Sequence, residues 1–328
     1  MIAYRGEMLM ERFTVRNGAT TISVLADGPP DSADPPVLCV HGWPELAWSW
    51  RHQIAHFAGK GRRIAAMDVR GYGESSKPAE IAAYAMAELC SDVAAVIDSL
   101  GGRAILFGHD WGAPIVWQTS LRYPDKVLAV AGLSVPYVPM SDTSFLDAVR
   151  KLYAGRFFYQ LYFQEPGVAE AEFDADPDAL AKIYYGISGE GIAEYARHIK
   201  APGEGFLLGM PMPDALPGWL PAEDLAVYKS AFAAGGWTGP LNRYRAQDID
   251  FAERATVVGR RIAQPATFIA GTLDPVRRFV PGVDGYADAG AACDDFRGAT
   301  LIEGAGHWVQ QEAADETNRA LERFLGGL

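Results

Sequence analysis

Short apolar runs alternate with apolar positions at helical spacing along the first third of the chain. Buried strands are predicted at 37–40, 63–67, 104–107 and 127–133. Residues 84–100 carry an apolar stripe that predicts a helix. Strands that alternate with helices in this way are typical of a parallel sheet with helical crossovers. The apolar segments 13–15 and 21–25 flank Asn17-Gly18, which predicts an antiparallel hairpin at the sheet edge.

The pattern changes after residue 136. Residues 137–246 lack alternating strands, contain about half of the chain's aromatic residues and are interrupted by several prolines. The strand pattern resumes at 266–270 and 300–302, and one continuous helix is predicted over 309–324. The chain is therefore predicted to be an α/β protein, with a mostly parallel sheet and helices on both faces. Its core domain would be formed by 1–136 and 247–328, and 137–246 would form an inserted helical cap domain.

Composition restricts the partners and the cellular location. The 328 residues include 29 Lys and Arg against 41 Asp and Glu, a net charge of −12, which argues against nucleic acid or an anionic membrane as a partner. No apolar stretch is long enough to span a membrane, and the first residues do not resemble a secretion signal. The three widely spaced cysteines favour reduced thiols in a cytoplasmic protein. A homodimer is left open.

Cofactor motifs are weak in this chain. His52 and His56 have the spacing of a zinc-binding helix, but Gln53 stands where that motif requires glutamate. The glycines of 71–76 lie well after the nearest strand and lack the third glycine of a dinucleotide-binding loop. We therefore expect neither a metal nor a nucleotide cofactor.

The segment Gly108-His109-Asp110-Trp111-Gly112 joins the strand at 104–107 to a helical pattern. This is the strand–turn–helix arrangement of G-x-S-x-G, with Asp110 in the place of the nucleophilic serine. A carboxylate that attacks a saturated carbon forms an ester, which water can hydrolyse, whereas a serine would form a stable ether. Asp110 is therefore predicted to be a nucleophile, and the alternative is that it only caps the helix.

A base and an orienting acid are expected downstream of such a nucleophile. His307 follows the strand at 300–302, and Asp274 follows the strand at 266–270, so both would lie at the same sheet edge as Asp110. We predict that His307 is the base and that Asp274 orients it. The alternatives are a structural loop histidine and a turn residue before Pro275.

The segment His41-Gly42-Trp43-Pro44-Glu45 follows the strand at 37–40. In this type of fold, the corresponding loop donates one N–H to the oxyanion hole, and the residue after the nucleophile donates the other. The backbone N–H groups of Trp43 and Trp111 are the predicted donors.

These motifs together resemble the α/β-hydrolase-fold epoxide hydrolases, and three segments of the insertion extend the resemblance. They are YQLYFQEPGVAE at 159–170, PGWL and EDL within 217–225, and GPLNRYR at 239–245. The resemblance is to the soluble members and covers about residues 11–324. The vertebrate soluble enzymes also have an N-terminal phosphatase domain, and no phosphatase activity is expected here.

The resemblance implies roles for residues that spacing alone does not distinguish. Tyr159 and Tyr244 are expected to hydrogen-bond the epoxide oxygen, while Glu45 and His109 would position the hydrolytic water. The implied substrates are water and a bulky apolar or aromatic epoxide, and the implied role is detoxification. The chemistry agrees, because a phenol is a suitable acid for the alkoxide that forms when an epoxide opens in an apolar site.

Two alternatives use the same scaffold. A haloalkane or haloacid dehalogenase also needs an aspartate nucleophile and a histidine base, but its leaving group is already an anion and requires no phenols. The usual haloalkane dehalogenase has Asn at the position of Trp43. A non-catalytic small-molecule receptor would not need Asp110, Asp274 and His307 together.

Overall fold

The computed structural model describes residues 2–4 and 8–328, and nine strands of this part form one sheet. The strands are β1 (Ile2–Tyr4), β2 (Met8–Asn17), β3 (Thr20–Asp27), β4 (Val37–Val40), β5 (Ile64–Met67), β6 (Ala104–His109), β7 (Val127–Leu133), β8 (Ile262–Gly271) and β9 (Cys293–Ile302). Their order across the sheet is β1-β2-β3-β5-β4-β6-β7-β8-β9. Pairing is antiparallel as far as β3–β5, and all later pairs are parallel. The predicted mostly parallel sheet is confirmed.

Helices surround this sheet. They are α1 (Arg51–Ala58), α2 (Met86–Ser99), α3 (Gly112–Arg122), α4 (Phe145–Leu152), α5 (Tyr159–Tyr162), α6 (Val168–Ala175), α7 (Ala179–Gly186), α8 (Ile192–Tyr195), α9 (Ala222–Gly235), α10 (Thr238–Arg245), α11 (Gln247–Ala252), α12 (Val309–Glu312) and α13 (Ala314–Gly326). Helix α1 packs beside α12 and α13, and α2 packs beside α3, so the central strands are covered on both faces. Strands β4 and β5 are buried along their whole length, as expected for parallel strands between two helical layers.

Two details differ from the sequence prediction. The hairpin forms by pairing of β2 with β3 around Gly18, but β1 pairs outside β2, so the hairpin is one strand in from the edge. The closing helix is not continuous, because Ala313 leaves helical geometry with φ −131° and ψ 55° between α12 and α13. Apolar spacing does not reveal this break, since both Val309 and Leu321 are buried.

The sheet places the predicted chemistry at one edge. Because β4, β6, β8 and β9 are parallel, the loops after them open at the same side of the sheet. Helices α4 to α10 lie within the predicted insertion at 137–246, and α11 follows that segment before β8 begins. Aromatic side chains of this segment, including Phe163 and Tyr244, contact Trp43 in the loop after β4.

Candidate active site

Asp110 stands in a strained turn between β6 and α3. Its backbone φ is +50°, a left-handed conformation that residues other than glycine rarely adopt. Two glycines allow the turn to pack closely. A Cβ at Gly108 would lie 2.3 Å from the carbonyl oxygen of Gly112, and one at Gly112 would lie 2.0 Å from the carbonyl oxygen of Val40. The predicted strand–turn–helix elbow is therefore the observed geometry, with Asp110 at its apex.

His307 lies between two carboxylates. Its Nε2 is 3.3 Å from Oδ2 of Asp110, and its Nδ1 is 3.1 Å from Oδ1 of Asp274. His307 and Asp274 are both buried. Oδ1 of Asp274 also accepts a hydrogen bond of 2.9 Å from the N–H of Val276, so this residue combines the predicted orienting contact with the alternative role in a turn. The fold brings together the predicted nucleophile, base and acid.

The flanking carboxylates control the pKa of His307. Burial by itself lowers that pKa, but the charges and hydrogen bonds of Asp274 and Asp110 outweigh burial and raise it well above the usual value for histidine. Burial likewise tends to raise the pKa of Asp274, and the attraction of His307 outweighs this and lowers it. In the free protein, the site therefore favours an imidazolium at His307.

The two predicted oxyanion donors differ in their contacts. The N–H of Trp43 donates a hydrogen bond of 2.7 Å to Oδ1 of Asp110. Among the described residues, the N–H of Trp111 makes no hydrogen bond to this carboxylate. The ring of Trp111 contacts the ring of Tyr244 edge to face, with centroids 5.3 Å apart, and the guanidinium of Arg243 lies over the Trp111 ring at 4.8 Å from its centroid.

The two predicted tyrosines lie close together, and the ring of Tyr244 contacts the rings of Trp43 and Trp111. Tyr159 begins α5, Tyr244 lies in α10, and their ring centroids are 5.9 Å apart. Nε2 of Gln160 donates a hydrogen bond of 2.9 Å to the hydroxyl oxygen of Tyr159. Burial, together with the charge of Asp110, raises the pKa of both tyrosines, so both stay neutral phenols at ordinary pH.

A largely buried ion pair joins α10 to α6, and a further hydrogen bond from the same arginine reaches the end of α5. The guanidinium of Arg245 makes hydrogen bonds of 2.8 and 2.9 Å to the two carboxylate oxygens of Glu170, and its Nε donates to the carbonyl of Phe163. Gln164 also donates to the carbonyl of Tyr244. These contacts join two of the segments on which the resemblance rests.

Glu45 and His109 are fully buried and form a pair beside the loop that carries His307. Nδ1 of His109 is 2.6 Å from Oε2 of Glu45, and Nε2 of His109 is 2.7 Å from the carbonyl oxygen of His307. Glu45 also accepts hydrogen bonds from Gly42 and from the side chain of Gln310. Burial raises the pKa of Glu45, but the contact with His109 outweighs it and lowers that pKa. Each ring nitrogen of His109 therefore has a hydrogen-bonding partner.

Sequence reasoning missed two residues of this site. Ser134, with φ +64°, directly follows β7, and its Oγ donates a hydrogen bond of 2.8 Å to the carbonyl of His307. The hydroxyl of Tyr286 in turn donates to the carbonyl of Ser134. Its position in the sequence could have indicated it, because Ser134 follows a strand that ends at the same sheet edge as the other candidates. Its side chain is not acidic, so a search for a charged partner of His307 does not select it.

No helix in the described ranges, 2–4 and 8–328, is both long and apolar enough to cross a membrane.

The comparisons with known proteins all indicate the same family. A family model described as the alpha/beta hydrolase fold matches residues 35–166. The chain is 42% identical to epoxide hydrolase A of Mycobacterium tuberculosis, over 97% of this chain and 98% of that protein. It is 37% identical to bifunctional epoxide hydrolase 2 of Mus musculus, over 88% of this chain and 51% of that protein.

Solved structures agree over nearly the whole length. The structure of epoxide hydrolase A from Mycobacterium thermoresistibile is 42% identical, with a TM-score of 0.89 over 98% of this chain and 99% of that one. An epoxide hydrolase from an endophytic Streptomyces is 40% identical, with a TM-score of 0.90 over 97% of this chain and 96% of that one. With its elbow, its buried histidine and these full-length relatives, the chain belongs to the epoxide hydrolases of the alpha/beta hydrolase fold.

Proposed function

We propose that the chain hydrolyses epoxides to vicinal diols in two steps, through an ester on Asp110. The observation that carries this proposal is the surroundings of the Asp110 carboxylate. One oxygen accepts the N–H of Trp43, and the other lies 3.3 Å from Nε2 of His307. Tyr244, whose ring contacts that of Tyr159, packs against Trp43 and Trp111. This arrangement supports Asp110 as the nucleophile, His307 as the base and the two phenols as acids for the leaving oxygen.

In the first step, an oxygen of Asp110 attacks a ring carbon of the epoxide. A carbon–oxygen bond forms to the carboxylate as the ring bond breaks, and the alkoxide is protonated by the phenol of Tyr159 or Tyr244. The product is a hydroxyalkyl ester, and its formation removes the negative charge of Asp110. His307 then has one carboxylate neighbour instead of two, which lowers its pKa and favours release of its proton. That proton passes to the phenolate, which restores the neutral phenol and leaves His307 neutral and able to act as a base.

In the second step, His307 acts as the base that activates a water molecule. The water attacks the carboxyl carbon of Asp110, and its proton passes to His307, which Asp274 orients. The oxyanion that forms would be bound by the N–H groups of Trp43 and Trp111. The ester bond then breaks, the diol leaves with a proton, and the Asp110 carboxylate is regenerated.

Glu45 and His109 belong to this second step in the proposal. Their expected role in positioning the water stays a prediction. The hydrogen bond from His109 to the carbonyl of His307 supports a related role, because it holds the backbone that carries the base.

The insertion at 137–246 would act as a cap that supplies the tyrosines and an apolar lining. Phe163, Phe206 and Tyr244 surround the ring of Trp43 at centroid distances of 5.2 to 6.0 Å. Such walls favour bulky apolar or aromatic epoxides, since they offer large apolar contact and exclude water. Cytoplasmic location, a role in detoxification and homodimer formation remain predictions.

A product assay distinguishes this function from the alternatives. Purified protein is supplied with styrene oxide or with a bromoalkane, and diol and bromide are measured separately. The proposal expects diol from the wild type and almost none from freshly prepared Asp110→Asn, because an amide is a far weaker nucleophile. Slow deamidation would restore activity over hours. Bromide release without diol would favour a dehalogenase, and neither product would favour a receptor.

A further inference from the structure

Glu312, at the end of α12, is a partly buried carboxylate to which the mechanism above gives no role. It accepts three backbone hydrogen bonds: 2.8 Å from the N–H of Gly189, 2.9 Å from that of Gly306 and 2.9 Å from that of Trp308. Gly306 and Trp308 are the two neighbours of His307 in the chain. Gly189 lies between α7 and α8, in the predicted cap. A single side chain thus ties the loop of the base to the inserted segment.

The remaining backbone groups of this loop already have partners. The N–H of His307 donates to the carbonyl of Ile187 at 3.1 Å, and its carbonyl accepts from His109 and Ser134. The loop that carries His307 and the segment that carries Gly189 pack backbone against backbone, since a Cβ on Gly306 would lie 2.2 Å from the nitrogen of Gly189. Glu312 is therefore the acceptor for the N–H groups on both sides of His307. Without it, these buried donors would be left without a partner at a considerable cost.

The strength of this contact depends on the charge of Glu312. A carboxylate accepts N–H groups more strongly than a neutral carboxyl group, which must also place a proton of its own. Burial raises the pKa of Glu312 to about 7, with the charge of Asp274 adding to the effect and the three N–H groups opposing it. The ionisable groups around it are Asp274 on the core side and Glu190, Glu303 and Glu316, which line the adjoining cleft. This surface cleft of about 460 Å³ is also lined by Glu312 and gives protons access to it.

We propose that Glu312 is a positioning residue for ester hydrolysis, because its carboxylate fixes the loop that presents His307 to water and ties that loop to the inserted segment. The inference rests on the proposed function, which assigns the second step to His307. It predicts that loss of the carboxylate slows hydrolysis of the ester while formation of the ester continues.

The test compares Glu312→Gln with Glu316→Gln, which removes an exposed carboxylate from the same cleft. In Glu312→Gln, one oxygen is replaced by an NH₂ group that faces N–H donors. Formation and hydrolysis of the ester are followed with styrene oxide by stopped-flow tryptophan fluorescence and by rapid quenching with mass analysis. Near pH 9, we expect Glu312→Gln to slow hydrolysis by about tenfold or more, because small displacements of a catalytic group are costly. Ester formation should change by less than about twofold, and Glu316→Gln should behave as the wild type.

The dependence on pH separates positioning from general damage. Below about pH 6, wild-type Glu312 is itself largely protonated, so the wild-type advantage in hydrolysis should shrink. A ratio of rates that does not change with pH, equal losses in both steps, or an equal loss in Glu316→Gln would overturn the inference. If Glu312→Gln does not fold, Glu312→Asp keeps a shorter carboxylate, and it should hydrolyse the ester more slowly than the wild type while keeping the pH dependence. Absence of any ester in the wild type would instead contradict the proposed function.

Discussion

The ring of His109 donates a hydrogen bond of 2.7 Å from Nε2 to the carbonyl oxygen of His307. His109 immediately precedes Asp110, so this bond joins the turn of the predicted nucleophile to the loop of the predicted base. Because Nδ1 of the same ring contacts the Glu45 carboxylate, the ring is fixed from both ends. Buried polar contacts thus hold Asp110 and His307 beside each other. The proposed chemistry requires such fixed positions, because it depends on close alignment of the reacting groups.

The tyrosines should act in ring opening and have little effect on hydrolysis of the ester. Tyr159→Phe or Tyr244→Phe alone should slow ester formation by about 10- to 100-fold, since the other phenol remains to protonate the alkoxide. The double variant should nearly stop it, and its loss need not equal the sum of the two single losses. Stopped-flow tryptophan fluorescence measures this step. Tyr195→Phe, a change in another tyrosine of the inserted segment, is the control. Unchanged ester formation in the double variant would remove both tyrosines from the site.

His307 should be needed for the second step and largely dispensable for the first. His307→Gln should therefore accumulate an ester with the mass of the protein plus intact epoxide, on the peptide that contains Asp110. Hydrolysis should slow by about 100-fold or more, because the attack of water requires a base. Asp274→Asn should show a milder loss, since the imidazole keeps its nitrogen but loses its orienting partner. Intact-protein mass spectrometry after mixing measures the accumulation, and an adduct on another peptide would contradict the mechanism.

The sequence was sufficient to predict the mostly parallel sheet, the elbow at Asp110 and the meeting of Asp110, Asp274 and His307 at one sheet edge. Each of them follows directly from a strand pattern, and parallel strands bring their carboxyl ends to one edge. Tyr159 and Tyr244 are different, because they lie on helices in an aromatic-rich insertion and only the resemblance singled them out.

Contacts between distant parts of the chain escaped sequence reasoning. The hydrogen bonds of Ser134 and Glu312 depend on how separate loops meet, and no periodicity records such meetings. The break at Ala313 is hidden for the same reason, since the residues on both sides of it face the core. Local patterns predict elements and their ends, whereas the partners of buried polar groups are fixed only by the folded arrangement.

The raised pKa of His307 should also appear in the stability of the protein. A histidine whose pKa is raised by folding stabilises the folded state fully below its unfolded pKa of about 6.5, and this stabilisation is lost as pH rises through the folded pKa. The difference in unfolding free energy between wild type and His307→Gln should therefore be largest below about pH 6.5 and fall at higher pH. Urea unfolding at a series of pH values measures it. His198→Gln, at an exposed position, should show no comparable trend, and a difference that grows with pH would contradict the assignment.

The ion pair between Arg245 and Glu170 should be important for stability. Arg245→Met leaves a largely buried carboxylate without its partner, which we expect to cost about 3–5 kcal/mol of unfolding free energy. The matched control is Arg150→Met, which breaks an exposed pair with Asp147 and should change stability by less than about 1 kcal/mol. Denaturant unfolding of both variants tests the difference. Equal losses would show that this pair contributes no more to stability than an exposed pair does.

The central claim is that the oxygen added to the epoxide comes from Asp110 and not directly from water. A single turnover in oxygen-18 water, with protein in excess over styrene oxide, tests it most directly. The ester is opened by attack of labelled water on the carboxyl carbon, so the label should appear in the peptide that contains Asp110, and the diol should be unlabelled. A labelled diol from the first turnover, with unlabelled Asp110, would mean that His307 directs water at the epoxide itself and that Asp110 is not the nucleophile.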